Sequence, residues 1–423
     1  MPTESEWWML LIAVLCAVAC AVPGCFLVLR RLSMLGDAIA HAILPGIAVA
    51  FVVTGTRSVF PMLIGAAAAG LLTAILSAFL SRRGNVPEDA AMGVVFTSLF
   101  ALGVLLITIA ARSVDLDPGC VLYGLIEFAP LDRVVVLGFE APRAAWVLGC
   151  AAAVNGALAW VFFKELKITS FDGALATTLG ISAAWVHYGL MGVVAGTTVV
   201  SFEAVGSILV VAMLIGPPAA AHLLTDRLSG MIWIASGLAV VSAAAGFIGA
   251  LWLNTSVAGM MGVAAGVIFA LAAVLAPRHG AGAKALRRGA LSLRIMREDV
   301  LGMLYRAGEV RPDSPLARET IARAMGGGLI VRAALWGLVR GGLVVEGAGG
   351  LRLTRRGEED ARRLVRGHRL WESYLARHLG LPVDHLHDPS ERMEHYITPD
   401  MRAGLDAEIR DNVDPMGKRI PKD

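Results

Sequence analysis

Nine long apolar runs occupy the first two-thirds of the chain and constrain its fold more than any other feature. They cover approximately residues 7–29, 38–55, 59–80, 90–111, 143–163, 183–200, 204–223, 229–250 and 256–276. An apolar run of about 18 or more residues is long enough to cross a bilayer as a helix. The mean hydropathy of +0.68 also excludes an ordinary soluble protein. The sequence therefore predicts an all-α polytopic membrane protein.

The number of spans depends on residues 201–206. If this stretch is an outside loop, the chain has nine transmembrane helices, whereas a break within one longer helix would leave eight. With nine crossings, one side of the membrane collects the basic residues Arg30, Arg31, Arg82, Arg83, Lys164, Lys167, Arg227 and Arg278. Because basic residues favour the cytosolic side, we expect the N-terminus outside and the C-terminal region in the cytosol.

The chain changes character near residue 280. Residues 281–423 hold 25 of the 37 Lys and Arg residues and 20 of the 34 Asp and Glu residues, a net charge of +5. Three predicted helices followed by two short strands that turn at Gly347–Gly350 are typical of a winged helix-turn-helix. We predict a membrane domain at 1–280, a Gly/Ala/basic linker at 281–292, a winged-helix domain at 293–357, a second helical domain at 358–410 and a disordered tail at 411–423.

Asp37 and His41 are two ionisable residues within a predicted span. They lie four residues apart, so they share one face of a helix. A carboxylate and an imidazole on one face can ligate a divalent transition ion, and ionisable residues inside a span usually face a polar pathway. The alternative is structural: Asp37 caps the helix after Gly36, and His41 is an interior histidine whose hydrogen bonds are satisfied.

Three separated segments resemble, in order, the motifs of permeases from metal-type ABC transporters, which import zinc, manganese or iron. They are RRLSMLGDAIAHAILPG (30–46), KITSFDGALATTLGIS (167–182) and SFEAVGSILVVAMLIGPPAAAHLL (201–224). The resemblance implies a bacterial inner-membrane location, a pore made with a second permease chain (identical or a sister), and an extracytoplasmic solute-binding protein. It also implies a pair of cytosolic ABC ATPases and a metal path that includes Asp37 and His41.

The second segment matches the cytosolic loop of that family, with Phe171, Asp172, Ala176 and Gly180 at the matched positions. The chain contains no Gly-x-x-x-x-Gly-Lys-[Ser/Thr] sequence, so it does not hydrolyse ATP by the P-loop route. We therefore expect a transport subunit rather than an enzyme, with this loop coupled to a separate ATPase. An ordinary connecting loop is the alternative.

A second candidate metal site lies in the charged C-terminal region. Glu391, Glu394 and His395 are spaced i, i+3 and i+4, so on one helix they point the same way. Two carboxylates and an imidazole suit manganese or iron and are less distinctive for zinc. His368, on the preceding predicted helix, is a fourth candidate ligand. The alternative is a solvated charged face.

Residues from Glu298 to about 405 resemble the iron- and manganese-dependent repressors of the diphtheria toxin repressor type. The matching pieces are EDVLGMLYRAGE, LRLTRRGEEDARRLVRGHRLWESYL and ERMEHYIT. The resemblance implies that 358–410 is a metal-binding and dimerisation domain, with ligands at Asp299, His368, Glu391, Glu394 and His395. One further ligand position of the family falls on Gly302 here, so we expect one divalent ion per chain: manganese, iron or zinc.

Two functions compete on this evidence. The first is the permease of an ATP-driven divalent-metal importer that carries a cytosolic metal-sensing domain. The second is a membrane-tethered, metal-responsive transcriptional regulator. The predicted recognition helix, Leu329–Arg340, offers Arg332 and Arg340 but few polar side chains for base edges, and the +5 net charge is weak support for nucleic acid. We therefore favour the first and expect the domain to sense metal and contact the ATPase.

Overall fold

The computed structural model describes residues 3–32, 34–55, 59–110, 126–136, 138–311, 315–347, 349–409 and 411–422. The chain divides into two compact units, Met1–Ala283 and Lys284–Asp423. The boundary lies within a few residues of the predicted end of the membrane domain.

The first unit contains nine helices among its described residues that are long and apolar enough to cross a membrane. A helix satisfies its own backbone hydrogen bonds, which the bilayer interior requires. These helices are α1 (Glu4–Leu29), α2 (Met34–Thr54), α3 (Val59–Gly84), α4 (Glu88–Ala110), α5 (Arg143–Val161), α8 (Ala183–Val205), α9 (Ser207–Leu224), α10 (Leu228–Leu253) and α11 (Val257–Leu275).

The junction between α8 and α9 differs from the predicted outside loop. Ser201 through Val205 are helical, and Gly206 alone joins the two helices. Gly206 has a φ of +82°, a conformation that residues with a Cβ rarely adopt. A single glycine therefore separates two apolar helices where the sequence suggested a loop. The loop predicted at 201–206 is therefore wrong, and the described residues contain nine helices that are candidates to cross the membrane, two of them separated only by the break at Gly206.

Small residues set the position of α2, the helix that carries Asp37 and His41. A Cβ added at Gly46 on α2 would lie 2.1 Å from the carbonyl oxygen of Gly65 on α3, so the two backbones touch directly. Glycine permits such close approach between membrane helices. The bundle core also includes the buried residues Cys16, Cys20 and Cys25 of α1, which pack as small hydrophobes.

Shorter elements lie between α4 and α8. A 3-10 turn at Ala129–Leu131 precedes an antiparallel hairpin of β1 (Arg133–Val136) and β2 (Phe139–Pro142), in which Arg133 pairs with Pro142. After α5 come two short helices, α6 (Phe163–Phe171) and α7 (Gly173–Thr178). They occupy the segment that sequence analysis predicts to contact an ATPase.

The predicted linker is helical. Helix α12 runs without a break from Ala281 to Val310, so residues 281–292 form its first part. The sequence ALRRGALSLR within it is dominated by good helix formers, and an isolated glycine such as Gly289 costs only about 1 kcal/mol in a helix. The segment predicted as a Gly/Ala/basic linker, 281–292, thus has a helical backbone in the structure.

A winged helix follows. Helices α13 (Arg318–Ala324) and α14 (Gly328–Arg340) precede an antiparallel ribbon of β3 (Val344–Gly347) and β4 (Gly350–Leu353). The buried core of this region comprises Val300, Leu304, Ile321, Leu335, Leu338 and Leu351.

The rest of the second unit consists of α15 (Arg355–Leu379), α16 (His387–Met393), a 3-10 turn at Glu394–Tyr396, and α17 (Pro399–Glu408). The predicted disordered tail is folded over its described part, 411–422. Ile420 packs with Leu370, Leu405 and Ile409 in a separate small core, and buried Asp414 accepts hydrogen bonds from the backbone of Met416 and Lys418. These contacts explain why a polar, proline-containing end is ordered.

Candidate metal sites and coupling segment

Asp37 and His41 contact each other on α2. The His41 Nε2 atom lies 3.5 Å from Asp37 Oδ1, and the side chains are 33% and 38% exposed, respectively. The His41 ring also packs against Phe96 and Phe100 of α4, with ring centroids 5.7 Å apart in both pairs. Helix α2 begins at Met34, so Asp37 lies within its first turn and is not its cap. The pair offers two potential ligand atoms on partly exposed side chains.

The segment formed by α6 and α7, which we call the platform, is held by several local contacts. Asp172 caps α7: its Oδ1 accepts hydrogen bonds from the N–H groups of Ala174 and Leu175, both at 2.9 Å. Ala176 is fully buried, and Gly180, with a φ of +81°, turns the chain after the helix. Capping, burial and the turn together hold this short helix in one orientation.

Three apolar side chains of this platform are exposed. Phe171, Leu175 and Leu179 are spaced four residues apart and are 64%, 51% and 60% exposed. None of them belongs to one of the nine apolar helices of the described residues. The guanidinium of Arg30, just after α1, donates to Thr169 and Ser170 at 2.7 and 3.1 Å, which ties the platform to the end of a membrane helix. Exposed apolar side chains of this kind are suited to docking a partner protein.

In the second unit, Asp299, Glu394 and His395 form a group that we call cluster A. Their potential ligand atoms all lie within 4.8 Å of one another. The His395 Nε2 atom is 3.1 Å from Asp299 Oδ1, and its Nδ1 is 2.8 Å from Glu298 Oε2. Burial disfavours the charged imidazolium, but the hydrogen bonds to Asp299 and Glu298 outweigh it and raise the pKa of His395 to about 9.

A second group, cluster B, consists of His368, Glu372 and His387. Glu372 Oε1 lies 2.9 Å from His368 Nε2 and 3.1 Å from His387 Nδ1. Burial alone would lower the pKa of His368, but its contacts with Glu372 and Glu394 raise it overall. The other nitrogen of His368, Nδ1, is 2.6 Å from Glu394 Oε2, so one imidazole connects the two clusters.

The structure brings together four of the five predicted sensor residues. Asp299, Glu394 and His395 meet in cluster A, and His368 reaches it through Glu394. Glu391 is exposed on α16 and joins neither group. The α-helix ends at Met393 and continues as a 3-10 turn, so the expectation that Glu391, Glu394 and His395 share one continuous helical face is wrong.

Sequence reasoning missed three participants: Glu298, Glu372 and His387. Glu372 follows His368 by four residues on α15, which was an available signal for a shared face. His387 gave no signal of its own, because it belongs to a different helix and approaches Glu372 only through the tertiary fold. Gly302, where the repressor family carries a ligand, is buried on α12 and offers no ligand atom.

The exposed face of α14 bears on nucleic-acid binding. Leu329, Ile330 and Trp336 are exposed, the first of them 82%, and the Arg340 guanidinium lies 5.0 Å from the centroid of the Trp336 ring. Base edges in the major groove are read mainly by polar side chains. A face dominated by large apolar groups is therefore poorly suited to reading a DNA sequence.

Comparisons with known proteins agree with this architecture. Residues 4–276 match the ABC 3 transport family, and residues 354–422 match the iron dependent repressor, metal binding and dimerisation domain. The manganese transport system membrane protein MntD of Bacillus subtilis is 48% identical over 283 residues, covering 67% of this chain and 96% of MntD. The zinc transport system membrane protein TroD of Treponema pallidum is 44% identical over 283 residues, covering 67% of this chain and 77% of TroD.

A solved structure of PsaBC from Streptococcus pneumoniae in complex with Fab aligns with 66% of this chain and 94% of its own, with a TM-score of 0.55 and 32% identity. Both resemblances noted in the sequence, to metal-type permeases and to metal-dependent repressors, are confirmed by these matches. The chain is a multi-pass membrane protein that belongs to the ABC 3 transport family.

Proposed function

We propose that this chain is the permease of an ATP-driven importer of divalent transition metal, and that its C-terminal unit senses the same metal in the cytosol. The observation that carries the proposal is the presence of carboxylate–imidazole ligand sets in both units of one chain: Asp37 with His41 in a membrane helix, and clusters A and B in the second unit. Ligands of this type suit manganese, iron and zinc. The names of the relatives MntD and TroD support manganese or zinc as cargo.

The transport role needs energy that this chain does not supply. The exposed apolar side chains Phe171, Leu175 and Leu179 are the candidate contact for a separate ABC ATPase. An extracytoplasmic solute-binding protein would deliver the ion, and a second permease chain would complete the pore. We assign the chain no catalytic role of its own.

The sensing role follows from the two clusters. We expected one ion per chain because Gly302 lacks a ligand, but cluster B adds three ligands that sequence reasoning had not combined. We now propose up to two ions per chain, with His368 and Glu394 linking the sites. A bound ion shifts a conformational equilibrium only by its differential affinity for the two states. Cytosolic metal would thus favour one state of the second unit and slow further import.

Uptake by the reconstituted importer tests the transport proposal. Proteoliposomes containing the chain and its ATPase should accumulate radioactive Mn²⁺ when ATP and the solute-binding protein are supplied. Asp37→Ala and His41→Ala should each reduce uptake at least tenfold, while the amount of protein in the membrane stays unchanged. A matched control is Asp132→Ala, which removes an exposed carboxylate outside the nine apolar helices. Parental uptake by the Asp37/His41 double variant would rule out this path.

The alternative function, a tethered transcriptional regulator, is favoured by one observation, the complete winged helix. The apolar face of α14 argues against it. Fluorescence anisotropy with the full chain and labelled DNA from its own operon's promoter would separate the two. Metal-dependent, sequence-specific binding at physiological salt would favour the regulator, and purely non-specific, salt-sensitive binding would not.

A further inference from the structure

A strongly basic segment follows the last apolar helix. Residues 276–297 contain six Lys and Arg residues and one histidine, but no Asp or Glu. An excess of basic residues beside a membrane span is usual on the cytosolic side. Here three of the six, Lys284, Arg287 and Arg288, are also arranged in a specific way on the first part of α12.

These three residues share one face of the helix, because they are spaced i, i+3 and i+4 on α12. All three are exposed. Leu291 comes one turn later on the same face and is 41% exposed. We call Lys284, Arg287, Arg288 and Leu291 the basic stripe. It combines three cationic groups with one apolar side chain.

The part of α12 that carries the stripe is exposed on all sides. Every residue from 284 to 292 is exposed, which is two and a half helical turns. Most helices in proteins are stabilised by packing of one face, and this stretch lacks such packing among the described residues. Arg278 and Arg294, nearer the ends of the basic segment, differ because each lies 2.8 Å from a carboxylate, that of Asp226 and Glu298, respectively.

We propose that the basic stripe binds the phosphate groups of anionic phospholipids at the membrane surface. Residues 276–283 alone separate Lys284 from Leu275, the last residue of α11. Even fully extended, this connection spans at most about 30 Å, so the stripe is confined near the bilayer at high local concentration. A Lys or Arg beside an anionic surface commonly strengthens binding about fivefold. The side chain of Leu291 can enter the headgroup region beside the bound cations.

Nucleic acid offers similar phosphate chemistry, but two observations favour lipid. The short connection to α11 keeps the stripe beside a bilayer at all times, whereas DNA has to be recruited from solution. The stripe also includes an exposed leucine, which suits a membrane interface better than a sugar–phosphate backbone. The proposal involves neither the metal clusters nor Asp37 and His41, so it does not depend on the proposed transport and sensor functions.

Photo-crosslinking of the full chain in phosphatidylcholine nanodiscs tests the proposal. The nanodiscs contain a trace of a lipid with a photoactivatable group near its headgroup, which is either phosphatidylglycerol or phosphatidylcholine. Mass spectrometry of the digested chain then locates the crosslinks. We expect the phosphatidylglycerol probe to label residues 281–294 at least tenfold more than the phosphatidylcholine probe. Raising the NaCl concentration from about 50 to about 500 mM should reduce this labelling at least fivefold, because salt screens exposed charges.

A triple variant, Lys284→Gln with Arg287→Gln and Arg288→Gln, should lower labelling by the phosphatidylglycerol probe at least tenfold. Glutamine is a good helix former, so α12 should persist. Arg287→Lys with Arg288→Lys keeps the charge and should be labelled like the parent. If this lysine variant is labelled as weakly as the glutamine variant, charge does not hold the lipid and the proposal fails.

The matched control removes the same charge from exposed positions of the second unit outside the stripe: Arg352→Gln with Arg355→Gln and Arg356→Gln. It should be labelled like the parent. Equal labelling of the parent by the two probes, or equal labelling of the stripe and control variants, would overturn the proposal. Fluorescence anisotropy of labelled duplex DNA with the same nanodiscs tests the other partner. DNA binding that only the stripe variant loses, together with labelling that does not depend on the headgroup, would overturn lipid binding in favour of nucleic acid.

Discussion

Metal binding at cluster A should depend steeply on pH because of His395. In the metal-free protein, hydrogen bonds to Asp299 and Glu298 overcome the cost of burial and hold the pKa of this imidazole at about 9. A metal ligand must be a neutral imidazole, so each bound ion has to displace this proton. Proton and metal therefore compete for the same nitrogen atoms.

The structure sets the size of the effect. With a pKa of about 9, roughly one in 100 His395 side chains is neutral at pH 7. The apparent affinity for Mn²⁺ should then tighten about tenfold for each unit of pH below 9. Between pH 6.5 and 8.5 the expected gain is about 100-fold, which corresponds to about 3 kcal/mol. Protonation of His368, whose pKa is also raised, would add to the slope at cluster B.

Isothermal titration calorimetry on the full chain measures this effect directly. Titrations of Mn²⁺ at several pH values give the slope, and buffers with different ionisation enthalpies give the number of protons released. His395→Asn should remove about one released proton. His378→Asn is the matched control, because His378 is a partly exposed histidine that pairs with Glu408 at 2.9 Å, away from both clusters. An affinity that stays constant between pH 6.5 and 8.5 would refute the reasoning.

The same pKa makes a stability prediction with a definite sign. The pKa of His395 is raised from 6.5 when unfolded to about 9 when folded. Its protonated form therefore stabilises the metal-free fold fully below pH 6.5, and that stabilisation is lost as the pH rises through about 9. The loss is at most about 3 kcal/mol. Thermal melts of the metal-free chain should show this decline, and His395→Asn should remove it.

Two further perturbations address coupling and feedback. Phe171→Asp with Leu175→Asp should weaken ATPase binding at least tenfold in a pull-down titration, because charged groups would replace exposed apolar side chains. Leu379→Asp, which changes another exposed leucine, is the control. Unchanged binding by the double variant would contradict the docking role. Glu394→Ala with His395→Ala should abolish inhibition of transport by internal Mn²⁺ and leave basal uptake unchanged, measured in proteoliposomes preloaded with metal. Inhibition equal to that of the parent would contradict feedback through cluster A.

The membrane helices could be predicted from sequence because their signal is local. A helix that crosses a bilayer needs a long apolar run, and such a run can be recognised in the sequence without knowing which helices it packs against. The junction at Gly206 was harder to predict, because a single glycine with positive φ separates the two helices and no long polar loop marks the position. The helical start of α12 was missed for a related reason: glycine-rich composition suggests a linker, while the surrounding alanine, leucine and arginine residues sustain a helix.

Only some residues of the two metal clusters could be predicted from the sequence. Glu394 and His395 are adjacent in sequence, but Asp299 joins them from a helix about 95 residues earlier, and only the family resemblance indicated it. His387 joins Glu372 by the packing of α16 against α15, which no local pattern reports. The folded tail is similar, since the burial of Asp414 depends on its contact with Arg369 on α15.

Helix α12 provides the last prediction, because it carries Asp299 and begins only a few residues after the last apolar helix. Its 30 residues correspond to about 45 Å of continuous helix. If the signal from cluster A travels along this helix, breaking it should abolish feedback without changing metal affinity. Leu286 is exposed near its start, and a proline there removes a backbone hydrogen bond at a cost of about 3 kcal/mol.

We therefore expect Leu286→Pro to bind Mn²⁺ as tightly as the parent and to transport normally, but to escape inhibition by internal metal. Leu286→Ala is the matched control, since it removes the same side chain and keeps the helix, so it should remain inhibited. Mn²⁺ titration and uptake by preloaded proteoliposomes measure the two properties on the same preparations. If the proline variant is inhibited as strongly as the alanine variant, the signal does not depend on α12. Direct contact between the second unit and the ATPase would then be the route left to test.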